Sequence, residues 1–128
     1  MIVLDASVLI ASLIPEDGHH AAAEAFLDAA GVEDLLVNTV TLAEVLVSPT
    51  REGRVEAVLA RLGDLGVVEV ALPPGAARGL AMLRVTPGLK MPDCCVLLTA
   101  MDRRASLASF DDQLRRDAGI HGVQLALG

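Results

Sequence analysis

The sequence predicts an α/β fold built on a mostly parallel, five-stranded sheet flanked by helices, and three observations predict it. Five short apolar segments punctuate the 128 residues, and most are continuous runs without alternation, the pattern of strands covered on both faces. Helical spacing fills the intervals between them. Strands that alternate with helices form βαβ units with right-handed crossovers, hence a parallel sheet. The length suits one domain over residues 1–128, and no long Pro, Gly or Ser tract divides it.

The first strand, Ile2 to Asp5, is read from "MIVLDASVLI", and a helix follows it for which Asp5 or Ser7 is a suitable cap. Glu16 to Ala30 has helical spacing and stops at Gly31. Leu35 to Asn38 is the second strand; the helix after it, Thr41 to Val47, carries Thr41 and Glu44 at capping-box spacing. Arg54 to Leu65 aligns Val55, Val58, Leu59 and Leu62 in one apolar stripe. Val67 to Ala71 is the third strand, and Gly75 to Leu83 and Pro92 to Met101 are the next helices. Ser106 to Ser109 is the fourth strand, Asp111 is a natural cap for a helix over Asp112 to Ala118, and Val123 to Leu127 is the fifth strand.

Composition narrows the function. A formal net charge of -7 argues against a protein that holds nucleic acid through a broad basic face. Apolar residues make up 53% of the chain and mean hydropathy is +0.54. Yet runs such as "CCVLLTAM" fall far short of the ~20 residues that cross a bilayer. The N-terminus lacks a basic segment and places Asp5 inside its apolar stretch, so a soluble, cytoplasmic protein is expected. Adjacent Cys94 and Cys95, with no CxxC or Cys/His cluster, read as buried small hydrophobes in a reducing compartment. His19, His20 and His121 lack metal-ligand spacing and read as solvated. Phe26 and Phe110 are the only Phe, Tyr or Trp residues, which leaves base stacking without support in the sequence.

Four acids stand out. Ligands of open parallel sheets bind beyond the carboxyl ends of the strands. Asp5 ends the first strand, and Asp111, with Asp112 beside it, directly follows "SLAS". Asp93 opens a helix, and Glu44 sits among Leu42, Ala43, Val45, Leu46 and Val47. Taken singly, each has an ordinary capping role; together they place several acids, embedded in apolar sequence, at one edge. Two carboxylates about 4 Å apart repel by roughly 4 kcal/mol at an effective dielectric near 20. A hard divalent cation removes that repulsion, and an oxygen-rich, His-poor set favours Mg²⁺ or Mn²⁺, which meet substrates through phosphate oxygens.

With "IVLDASVLI", "TLAEVL", "KMPDCCVLLTA" and "LASFDDQL" in this order, the chain resembles the PIN-domain ribonucleases, and in size and motifs the VapC-type toxins of bacterial toxin-antitoxin pairs. The resemblance implies a three-layer PIN-like fold and Mg²⁺-dependent cleavage of single-stranded or loop RNA that leaves a 5′-phosphate and a 3′-hydroxyl. It maps the acidic site onto Asp5, Glu44, Asp93 and Asp111, with Asp5 and Asp93 the foremost metal ligands. Ser7 is the hydroxyl that orients a carboxylate, Ser109 stands where many relatives have Thr, and Asp112 assists through water. The resemblance also implies a homodimer and a protein antitoxin that places an Arg or Lys among the carboxylates. Arg103, Arg104, Arg115 and Arg116 are the candidates for contact with RNA phosphates.

Two other classes fit less well. A receiver-type signalling domain needs an acid pair at the first strand and an Asp ending the third, where this chain has "VVEVALPPG". A phosphatase of the haloacid-dehalogenase type needs the second acid of a DxD motif, which "DASVL" lacks. A PIN fold without catalysis, serving as a binding module, is the alternative of a different kind.

Overall fold

A computed structural model describes residues 1–127. The chain runs β1 (Ile2–Leu4), α1 (Ala6–Leu13), α2 (His20–Ala29), β2 (Leu35–Asn38), α3 (Thr39–Arg51), α4 (Val55–Asp64), β3 (Val67–Val70), α5 (Ala76–Arg84), α6 (Met91–Arg103), β4 (Ser106–Ala108) and α7 (Asp112–Ile120). All strand pairs are parallel, in the order β3-β2-β1-β4. Alternate strand residues feed two separate cores. Leu4 and Val37 pack against α1 to α4 with Val8, Leu9, Leu27 and Leu62, whereas Val3 and Leu36 pack against α5 to α7 with Leu97, Leu107 and Leu114. The sheet is therefore the middle of three layers, as expected.

The sheet has four strands rather than five. Val123 to Leu127 returns alongside β4 but makes only the isolated parallel bridge between Leu107 and Leu125. Gly122, at φ 74, turns the chain into this segment. Beyond the bridge the Arg115 guanidinium donates to the carbonyls of Ser109 and Leu127, so a side chain takes the place of further strand pairing. β3 also departs from the expectation of cover on both faces: it is an edge strand, and Val68 is 55% exposed.

Local chemistry sets the helix ends. Asn38 caps α3, accepting the Thr41 N–H at 2.9 Å while its amide donates to the Thr41 hydroxyl, so the helix begins earlier than the Thr41–Glu44 spacing suggests. It also continues through Pro49 in its last turns to Arg51. In the other direction, α2 starts late, because a turn at Asp17 takes the His19 N–H on its side chain. Cys94 and Cys95 are free thiols buried on α6, and burial pushes both of them up from the usual thiol pKa, as suits inert hydrophobes. No helix among the described residues is long and apolar enough to cross a membrane.

Arg115 ties the C-terminal segment to the end of β4, so Arg115→Ala should leave those carbonyls without their charged donor. The expected loss is about 1–2 kcal/mol in denaturant-induced unfolding, with an unchanged m-value. An unchanged midpoint would show that the bridge at Leu107 suffices.

Candidate active site

The site is built at the carboxyl edge of β1, β2 and β4, where α1, α3, α6 and α7 present their first turns or upper faces. Asp5 is only 7% exposed and occupies the N-cap position of α1, yet its side chain makes no capping bond. Instead one oxygen, Oδ2, accepts the hydroxyls of Ser7 and Ser109, each at 2.7 Å. Those hydroxyl oxygens in turn accept the backbone N–H of Phe110 and of Asp111, each at 3.0 Å. Asp5, Ser7 and Ser109 thus stitch the end of β1 to the loop after β4.

The other acids are held in a similar way. Asp111 caps α7, its Oδ1 accepting the Leu114 N–H at 2.9 Å. Asp93 lies in the first turn of α6 with its Oδ2 on the Lys90 N–H at 3.2 Å. The capping roles are real for these two residues, but they occupy one oxygen of each. Among the described residues, no hydrogen bond reaches Asp5 Oδ1, Asp93 Oδ1, Asp111 Oδ2 or either oxygen of Glu44. Glu44 projects from the middle of α3 and takes no part in the α3 cap.

Electrostatics brings the four together. The Glu44 pKa is raised by partial burial and by the charges of Asp5 and Asp93. Asp93 is raised by burial and by Asp5 and Asp111, against the opposing pull of the Lys90 N–H and the Lys90 charge. Asp5 acts on both Glu44 and Asp93, and Asp111 acts on Asp93. Among the described residues, no group of three or more His, Cys, Asp or Glu side chains is arranged to grip an ion as it stands. Mg²⁺ keeps several waters and uses only one or two carboxylates directly, so the five carboxylate oxygens of these four acids that lack a protein donor fit such a hydrated cation.

Not all of the expected residues gather here. Asp112 lies exposed in the first turn of α7, beside Asp111. Arg103 and Arg104 close α6, ten residues beyond Asp93 or about 15 Å along the helix, at the opposite edge of the sheet. Arg115 is engaged with backbone carbonyls, and Arg116 donates to Gln113 at 3.0 Å. The cation that does act on the cluster is Lys90, the chain's only lysine.

Sequence reasoning also missed Gln113 and Asp117. Gln113 donates to the buried Asp117 carboxylate at 2.8 Å and accepts from Arg116, which fixes its amide flat against Gly88. Gly88 has φ 88, and a Cβ there would come within 3.1 Å of the Gln113 amide carbon. The loop that leads to Lys90 and Asp93 is thereby seated on α7, close behind Asp111. Nothing in the local sequence signals this contact except a polar residue on an otherwise apolar helix face.

A PIN domain family model matches residues 2–119. The chain belongs to the PIN-domain family. Among solved structures, a toxin-antitoxin complex from Klebsiella pneumoniae contains a chain that superposes on this PIN domain with a TM-score of 0.77 at 23% identity, covering 98% of both chains. VapC20 from Mycobacterium tuberculosis, a sarcin-ricin loop cleaving toxin, gives 0.76 at 15% identity, with 91% of this chain and 95% of that one covered. VapBC2 from Rickettsia felis, bound to a DNA fragment from its promoter, gives 0.70 at 16% identity over 98% and 97%. These likenesses carry the fold. No curated protein matches this PIN domain in sequence.

The raised Glu44 pKa has a signed consequence for stability. A carboxyl whose pKa is higher folded than unfolded favours folding when protonated, and that advantage is lost as pH rises through the folded value. At neutral pH in EDTA, Glu44→Gln should therefore melt above the wild type. The difference should vanish as pH falls to about 4, near the ordinary carboxylate range. A pH-independent difference in melting temperature would show that Glu44 carries no such repulsion.

Proposed function

We propose that this PIN domain is a Mg²⁺-dependent endoribonuclease, the toxin of a toxin-antitoxin pair, with Mn²⁺ able to substitute. The observation that carries the reading is the set of four carboxylates at one sheet edge, three of them anchored through one oxygen only, with Asp5 and Asp93 acting on Glu44 and Asp5 and Asp111 acting on Asp93. When bound, the cation neutralises that charge, polarises the scissile phosphate and lowers the pKa of a water molecule. Asp5 and Asp93 would hold it most directly, and Asp111 and Glu44 would complete the set or orient its waters. Glu44, with its raised pKa and free oxygens, is the best-placed acceptor for the proton of the attacking water. Attack at phosphorus breaks the bond to the 3′ oxygen, which leaves as a 3′-hydroxyl after protonation and gives a 5′-phosphate on the other fragment.

Ser7 and Ser109 position Asp5, and Lys90 supplies the nearest cation for an RNA phosphate. A groove of about 400 Å³ runs from Glu44 between α1, α3 and α4, with Ile10, Leu13, Val45 and Val58 on its apolar side and Glu16, Ser48, Glu52 and Arg54 among its polar lining. It suits an antitoxin segment that is apolar on one side and ends in an Arg or Lys pointing at the carboxylates. The solvent-exposed Met82 of α5 and Val85 just after it support a homodimer. The protein would act where its RNA is, in the cytoplasm.

The direct test incubates purified protein with RNA, with Mg²⁺ or with EDTA, and determines the chemistry of the new ends. The reading requires cleavage with metal only and 5′-phosphate ends; 2′,3′-cyclic phosphates would oppose it. Lys90→Ala should raise KM about three- to tenfold through one lost phosphate contact. Arg103→Ala and Arg104→Ala should leave cleavage within about twofold of wild type, because they lie at the far edge. The reverse pattern would move the RNA path to that edge.

A further inference from the structure

We propose that His19 and Phe110 form a shelf on which one RNA base stacks beside the carboxylates, so that the enzyme binds single-stranded RNA through a base as well as through its phosphates. The two rings lie with centroids 4.2 Å apart and planes 13° from parallel. Phe110 falls between Ser109 and Asp111 in the chain, and its N–H is held by Ser7 Oγ, the same hydroxyl that binds Asp5. The ring is thereby fixed relative to two of the four acids. Its inner side packs on the core, and His19 covers its outer side.

The His19 ring is 59% exposed in its side chain, so the pair is not explained by core packing. Its backbone N–H is pinned to the Asp17 carboxylate at 2.8 Å, which keeps the residue in place at the head of α2. One face of the imidazole rests on Phe110, and the open remainder is a flat, oriented π-surface. Successive bases of single strands stack on such surfaces with little regard to sequence. The charge balance gives this contact weight. A chain of net charge -7 with Lys90 as the one cation acting on the cluster gains little from phosphate contacts alone. A contact insensitive to salt supplies what the missing basic face does not.

The inference rests on the ribonuclease reading, and the experiment separates the two. On a short mixed-sequence single-stranded RNA with Mg²⁺, His19→Ala should raise KM about tenfold or more with a much smaller change in kcat. His19→Phe, which keeps the stack without the imidazole nitrogens, should restore KM. The chain contains no Trp or Tyr, so His19→Trp makes the shelf its only indole. In stopped flow, its emission should be quenched by that RNA before turnover, and not by a ribose-phosphate chain of equal length lacking bases. An active wild type with an unchanged KM in a folded His19→Ala variant would overturn the shelf alone, as would equal quenching by the abasic chain. A wild type that cleaves no RNA with Mg²⁺ would overturn the ribonuclease reading and the shelf with it.

Discussion

One carboxylate oxygen, Asp5 Oδ2, accepts hydrogen bonds from two serine hydroxyls that lie near opposite ends of the chain, and the geometry of the site depends on that junction. A buried carboxylate without a counter-ion costs several kcal/mol unless hydrogen bonds offset it. Here both hydroxyls donate inward while accepting the first two N–H groups after Ser109, so Asp5 Oδ2 and both hydroxyls are paired while Asp5 Oδ1 stays free. Buried side-chain nitrogen and oxygen atoms without a hydrogen-bond partner are absent among the described residues. Losing one hydroxyl would leave the others with an unpaired group in a largely buried place. The parallel pairing of Leu4 with Ala108 puts the two strand ends side by side, and the junction then locks Asp5 against the loop that carries Phe110 and Asp111.

That arrangement explains why the acids can be both structural and chemical. Asp93 and Asp111 each give one oxygen to a helix N-terminus, where a negative charge is favoured. Their remaining oxygens point to no protein donor, and partial burial, with the charges of neighbouring acids added to it, raises the pKa of Glu44 and Asp93. The fold tolerates the repulsion because both residues are only partly buried and water screens them. The clamped amide of Gln113 adds a second constraint, seating the Gly88 loop on α7 so that Asp93 and Asp111 keep their separation.

Most of this was legible in the sequence for a stated reason. Apolar runs flanked by helical spacing located all four strands, and the rule that ligands gather at the carboxyl edge of a parallel sheet led to Asp5, Glu44, Asp93 and Asp111, acids whose charges act on one another in the fold. What failed was anything that depends on a contact between remote segments. The fifth strand looked sound by composition, but its pairing stops after one bridge, where the Arg115 guanidinium takes the Leu127 carbonyl. Arg103 and Arg104 looked close to Asp111 because they precede it in the chain, whereas the length of α6 carries them to the far edge of the sheet. His19 is solvent-exposed as read, but nothing near it in the sequence reveals the ring of Phe110 on which it stacks.

The measurement that bears most directly on the account pairs cleavage with thermal melting for Asp5→Asn. The Asn oxygen can still accept both serine hydroxyls, so the variant removes a charge and a ligand while keeping the junction. The account predicts no Mg²⁺-dependent RNA cleavage and a melting temperature in EDTA equal to or above that of the wild type. Added Mg²⁺ or Mn²⁺ should stabilise the wild type clearly and the variant much less, because a ligand that binds only the native state shifts the folding equilibrium. Retained cleavage together with an undiminished metal-induced rise in melting temperature would contradict it.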